Sequence, residues 1–240
     1  MASLSPPSTP NARADGVADH AYAISEKDFL QASTIERGDG PSKPVNEPVH
    51  VEGHDSSSPW LIVSPYLERQ HQLDLRTVDT PYRLLALALT KLENATNGYA
   101  IAKYEDAFEW SALMNHLKDL ADREDHRWTR QQFYVVEFRS KLKKDIDNDL
   151  LFKLDKKSHE EATTAGGLLK YWYGEPDSDR RNLATCLWRS KEDAIKGGRG
   201  PWHKQARACI ANMYENIDVS GVQLTIGDNV ESWHFERWTH

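Results

Sequence analysis

Residues 167–206 read GLLKYWYG (167–174), EPDSDRR (175–181) and NLATCLWRSKEDAIKGGRGPWHKQA (182–206). The first and third runs open as short aromatic-rich strands, and the polar run between them is a turn. A helical segment follows. It is interrupted at Gly197-Gly198-Arg199-Gly200-Pro201, and the chain re-enters helix at His203. Polar and aromatic side chains are denser here than anywhere else in the chain, which makes the stretch a candidate site, although it holds no catalytic motif that names a reaction.

Working outward, residues 133–139 (FYVVEFR) form a β-branched and aromatic strand whose Glu137 and Arg139 alternate with Val136 and Phe138. A helix is predicted over 145–163, closed by Gly166-Gly167. Downstream, the helix that restarts at 201 carries Ala206, Ile210, Met213 and Ile217 on one stripe. The chain ends on VQLTI (222–226), a turn at 227–229, and SWHFERW (232–238). From residue 133 the order is therefore strand, helix, strand, strand, helix, strand. That order predicts an α+β fold: a ferredoxin-like antiparallel sheet with helices on one face, of the dimeric α+β barrel type. The open face needs a cover. A second copy supplies it in the default reading, a homodimer; the N-terminal helices of the same chain are the alternative.

Those helices belong to an extension. Residues 59–63 and 73–78 look extended. Asp79 or Thr80 then caps a helix with Pro81 in its first turn, and Ala107, Trp110, Leu113, Met114, Leu117 and Ala121 mark a second. Residues 1–58 are rich in Ser, Pro, Gly, Asp and Glu, with almost no apolar periodicity, and are expected to be a disordered tail. The expected organisation is thus a 1–58 tail and a single 59–240 domain, made of a 59–130 extension and a 131–240 core.

With 240 residues, a net charge of −7 and 30 basic against 37 acidic residues, the chain carries no electrostatic footprint for nucleic acid or an anionic membrane. The expected partner is a small-molecule substrate. Cys186 and Cys209 are too few for a disulfide framework or a cysteine metal site. With no apolar signal core and no bilayer-length apolar run, a cytoplasmic location is the expectation.

The runs FYVVEFRS, LDKKSHEEA, GGLLKYWYG, NLATCLWRS, EDAIKGG, GPWHKQA and the terminal WHFERW resemble a family of uncharacterised fungal proteins, whose fold is similar to the dimeric α+β barrel superfamily. The likeness covers roughly residues 60–240 and leaves out the tail. The wider superfamily, to which Trp188-x-Ser190 followed by a His-bearing helix is similar, includes cofactor-free monooxygenases of polyketide tailoring, haem-degrading monooxygenases, chlorite dismutases, dye-decolorising peroxidases and aldoxime dehydratases. The resemblance implies an enzyme of secondary metabolism acting on an apolar or aromatic molecule, without cofactor or with haem. In the haem case His203 is the position that matches an axial ligand. The break at 197–201 and the N-terminal extension are departures from the minimal superfamily unit.

Read by themselves, the residues give these candidates. His203, near a helix start where the dipole disfavours an imidazolium, suits a ligand or a base. A backbone-bonded or solvated histidine is the plain alternative. His159 follows Asp155 by four residues, so the carboxylate could orient the imidazole. Glu137, Arg139, Lys170, Asn182, Thr185 and Arg189 come from strands, and a subset sharing one face would bind a carboxylate or enolate oxygen or form a salt-bridge row. Tyr171, Trp188, Trp202 and Tyr214, within a wider aromatic set that includes Trp110, Tyr134, Trp172, Tyr173, Trp233 and Trp238, would line a cleft for a flat ligand or fill the core. Proton transfer by His203 or His159, with Arg139, Lys170 or Asn182 holding an oxygen, is the enzymatic reading. A non-catalytic ligand-binding or dimerisation module is the other.

Overall fold

The computed structural model describes residues 58–238, so the expected tail lies almost wholly outside the described residues. Two short strands, β1 (Trp60–Ile62) and β2 (Gln72–Asp74), pair antiparallel with each other. The helices α1 (Thr80–Ala88), α2 (Tyr104–Ala107) and α3 (Trp110–Arg123) follow. The core then runs β3 (Gln131–Leu142), α4 (Asn148–Ala165), β4 (Leu168–Tyr173), β5 (Arg181–Trp188), α5 (Lys191–Gly197), α6 (Pro201–Ala208), α7 (Ile210–Met213), β6 (Tyr214–Ile226) and β7 (Trp233–Arg237).

The large sheet has the order β4-β5-β3-β6-β7, every pair antiparallel. Its first four positions are the split βαβ arrangement expected from the sequence, and β7 adds a strand beside β6. Residues directly opposite one another share a face. Val135 pairs with Leu187 and Val222, and Glu137 with Thr185 and Ser220. Tyr134 and Val136, pairing with Trp188 and Cys186, turn the other way.

Helices pack on both faces, and Val219 of β6 is left 52 % exposed on the α4 side. Phe133, Val135, Leu183, Leu187, Val222 and Leu224 pack against Leu84, Leu85, Leu113, Met114 and Leu117 of the N-terminal helices. Trp188, Tyr171 and Leu168 pack with Ala162 and Phe152 of α4 and with Ala194 of α5. A leucine sealed like Leu84, Leu85 or Leu117, each at 0 % exposure, contributes about 1.5–3 kcal/mol. The cover over the first face is therefore the chain's own extension, the alternative raised above. That extension also seals the β4 edge, because the Tyr171 N–H donates to the Val63 carbonyl at 2.8 Å.

Several local expectations are corrected. The second N-terminal helix is two pieces, broken at Phe108 and Glu109, where Phe108 takes an extended conformation and Asn94 forms an isolated bridge to it. Ile217 is not on a helical stripe: α7 stops at Met213, and residues 214–226 form one strand, because β3 offers pairing partners as far as Leu142. The aromatic set does not line one cleft. Trp110 and Trp172 belong to the core under the N-terminal helices, and Tyr171 and Trp188 to the core under α4.

The break at 197–201 is a packing device. A Cβ on Gly197 would run into the Trp188 ring, and one on Gly200 into the Glu161 carboxylate. Glycine is the residue that lets both approach. Pro201 then starts α6, where its missing N–H costs nothing.

Candidate functional site

The two faces carry different chemistry. On the face that the N-terminal extension covers, a cavity of about 600 Å3 lies between the 100–105 segment and strands β3, β6 and β7. Its polar floor is Glu137 and Arg139, two residues apart on β3 and hence on one face. Glu137 is 1 % exposed. Its Oε1 accepts from Arg139 Nε at 2.6 Å; its Oε2 has only long contacts, Ser220 Oγ at 3.4 Å and Arg237 Nη2 at 3.4 Å. Arg139 Nη1 donates to the Tyr99 and Ala100 carbonyls at 3.0 and 2.8 Å, so one guanidinium anchors both the carboxylate and the roof segment. Apolar wall comes from Val222, Phe235, Ala100 and the Tyr104 ring. The Tyr104 hydroxyl meets Thr185 Oγ1 at 2.8 Å, and burial raises its pKa well above the usual phenol range.

On the other face, under α4, is a buried polar cluster. Asp155 accepts from the hydroxyls of Tyr66 and Tyr171, the latter at 2.5 Å. Burial raises the Asp155 pKa, and those two hydrogen bonds oppose the shift. His159 does not meet Asp155. Its Nδ1 faces His71 Nδ1 at 2.9 Å, and the two rings are 4 % and 0 % exposed. The expected Asp155–His159 pairing is corrected for that reason: the N-terminal extension brings Tyr66 and His71, which the i,i+4 spacing along α4 could not foresee. Burial lowers the His159 pKa to about 3, with His71 and His203 adding to the shift, and burial lowers His71 too. Both Nε2 atoms are buried without a partner.

The remaining candidates are dispersed. His203 sits at the start of α6, where Glu161 of α4 accepts from the backbone N–H of Trp202 at 2.7 Å and of His203 at 3.1 Å, and meets His203 Nδ1 at 3.0 Å. That carboxylate is the helix cap. Trp202 is half-buried with Lys153 over its ring. Burial lowers the Lys170 pKa to about 8; its register opposite Leu187 puts it on the cavity's face of the sheet, outside the cavity lining. Asn182 accepts from the Leu183 N–H, and Tyr214, half-buried, has its pKa pushed up to about 12 by burial. Of the candidates, Glu137 and Arg139 line the cavity. Thr185 supports it through Tyr104, while Asp155, His159 and Tyr171 meet under α4. A haem in this cavity would find no histidine in the lining, and His203 lies outside it, against Glu161.

Sequence reading singled out Glu137 and Arg139 but missed Arg237, Phe235 and Tyr104. The alternation in WHFER was the available signal, since Phe235 and Arg237 share one face of β7. Nothing local marked Tyr104, which reaches Thr185 across 81 residues of chain.

Among solved structures, the chain is similar to a candidate antibiotic biosynthesis monooxygenase from Nitrosomonas europaea, at 15 % identity and TM-score 0.33, covering 37 % of this chain and 86 % of that one. It is similar to a dimeric ferredoxin-like protein of unknown function from Bacteroides fragilis at 14 % identity and TM-score 0.29, covering 37 % and 93 %. A UPF0643 protein, PB2B2.08 from Schizosaccharomyces pombe, is 32 % identical over 213 residues, 86 % of this chain and 96 % of the relative. Residues 62–237, the span that holds the sheet, both clusters and the cavity, match the model of the PB2B2.08-like family, and the chain belongs to that family.

Proposed function

We propose that this protein is an enzyme for a small, largely apolar molecule held in the cavity beneath residues 100–105, with Glu137 moving the proton. The observation that carries the reading is Glu137 itself, a buried carboxylate with one oxygen committed to Arg139 and the other turned to Ser220 and Arg237 at 3.4 Å beside the cavity. A carboxylate fixed in this way abstracts a proton from carbon next to a carbonyl when a cation stabilises the enolate oxygen, and Arg139, beside Glu137 on the cavity floor, is the cation at hand. A volume of about 600 Å3 suits a molecule of two or three fused rings.

This replaces the histidines as the proton-moving groups. His71 and His159 are enclosed, and His203 is committed to Glu161. The test is hydrogen–deuterium exchange by NMR on a panel of enolisable aryl ketones. Exchange with the native protein and its loss in Glu137→Gln, with ketone binding retained, is the expected result. Binding without exchange in either protein would make the cavity that of a non-catalytic binding module.

A further inference from the structure

The charges around the cavity say what kind of molecule it takes. The chain as a whole is acidic, at −7. The cavity lining is the reverse: three cations, Lys103, Arg139 and Arg237, against two anions, Glu105 and Glu137. These charges are not equivalent. Arg139 is anchored to Glu137 and to two backbone carbonyls through Nε and Nη1, and its charge balances that of Glu137, so the floor is neutral as a unit. Arg237 is different. Its side chain is 64 % exposed, it donates to Ser220 Oγ, and its remaining contact with Glu137 is the long one at 3.4 Å. Lys103 stands at the rim with no ion pair among the described residues, and Glu105 beside it is exposed to water.

We infer that the ligand of this cavity is a monoanion with an apolar body, its charged group held at the mouth by Arg237 and Lys103 and its body against Phe235, Val222 and Tyr104. The inference rests on the reading of the cavity as a ligand site and adds the ligand's charge. A guanidinium this exposed, held inward only by a serine hydroxyl and a long carboxylate contact, gives a carboxylate or sulfonate a charge-assisted partner. Glu137 sets the opposite limit, because a second negative group carried into the floor would meet a buried carboxylate. Dianions are thereby rejected, and a neutral molecule forgoes the surplus cation.

Two fluorescent molecules of similar shape separate the cases: the anion 8-anilinonaphthalene-1-sulfonate and the neutral N-phenyl-1-naphthylamine, titrated into the full-length protein. The anion should bind more tightly, and Arg237→Ala and Lys103→Ala should each weaken it, the former by about tenfold. The neutral molecule should respond to neither substitution. Raising the salt from about 50 to 500 mM should weaken only the anion. Ala102→Trp, which fills the cavity, should remove both. Equal binding of the two molecules, with the anion indifferent to Arg237→Ala while Ala102→Trp still blocks both, would overturn the charge assignment and leave the cavity reading standing. Binding of neither, or binding that survives Ala102→Trp, would overturn the cavity reading and this inference with it.

Discussion

At the scale of single residues, the two polar clusters make opposite predictions. Glu137 holds Arg139 and faces Arg237 from a site that is 1 % exposed. Truncating it strands two cations, one of them partly solvated, and Glu137→Ala should lose about 2–4 kcal/mol of stability in urea denaturation. The histidine pair responds to acid. Both folded-state pKa values lie below the unfolded value near 6.5, so the unfolded chain binds more protons. The pair's contribution is thus intact above about pH 6.5 and is lost as the pH falls toward the His159 value of about 3. Asp155 acts with the other sign, since its raised pKa makes the folded state the better proton acceptor. The clean measurement is therefore a difference: denaturation midpoints of the native chain and His159→Gln at pH 7 and pH 5. The native chain should lose more on acidification, by up to about 1.4 kcal/mol per pH unit. Equal losses would remove the histidine pair from the account.

At the scale of elements, the long strands and α4 were legible because their periodicities are unambiguous. FYVVEFR is a strand in any context, and α4 opens where Asp147 accepts from the Leu150 N–H at 2.9 Å. Asp147→Ala should cost about 1 kcal/mol of stability. The start of β6 was not legible, because YENIDVS is half polar and continues an apolar spacing begun in α6; pairing with β3 decides it. The glycine break is the sharpest test at this scale. Gly197→Ala sets a methyl group against the Trp188 ring, and a fall in melting temperature corresponding to about 1–3 kcal/mol is expected. An unchanged melting temperature would mean that the helix shifts freely against β5, contrary to the close packing of Trp188, 3 % exposed.

For the whole molecule, the decisive feature is that residues 80–123 occupy the sheet face that an isolated ferredoxin-like unit leaves open. A chain starting at residue 124 should expose Phe133, Val135, Leu183, Leu187 and Leu224 together and collect in the insoluble fraction. A soluble dimer of that fragment with a native circular dichroism spectrum would show instead that a second copy can replace the extension. Among the described residues, no helix is long and apolar enough to cross a membrane. The sequence by itself determined the strand-helix order of 131–240, the two amphipathic helices before it, and the polar strand pair Glu137 and Arg139, because each depends on spacing within one segment. What only the tertiary structure decided is which face each strand turns to which layer, and therefore where the site lies. Period-two alternation divides a strand into two faces without naming the neighbour of either. Placing residues 100–105 over Glu137 made it the floor of a cavity, and laying Tyr66 and His71 against α4 enclosed Asp155 and His159 in a core.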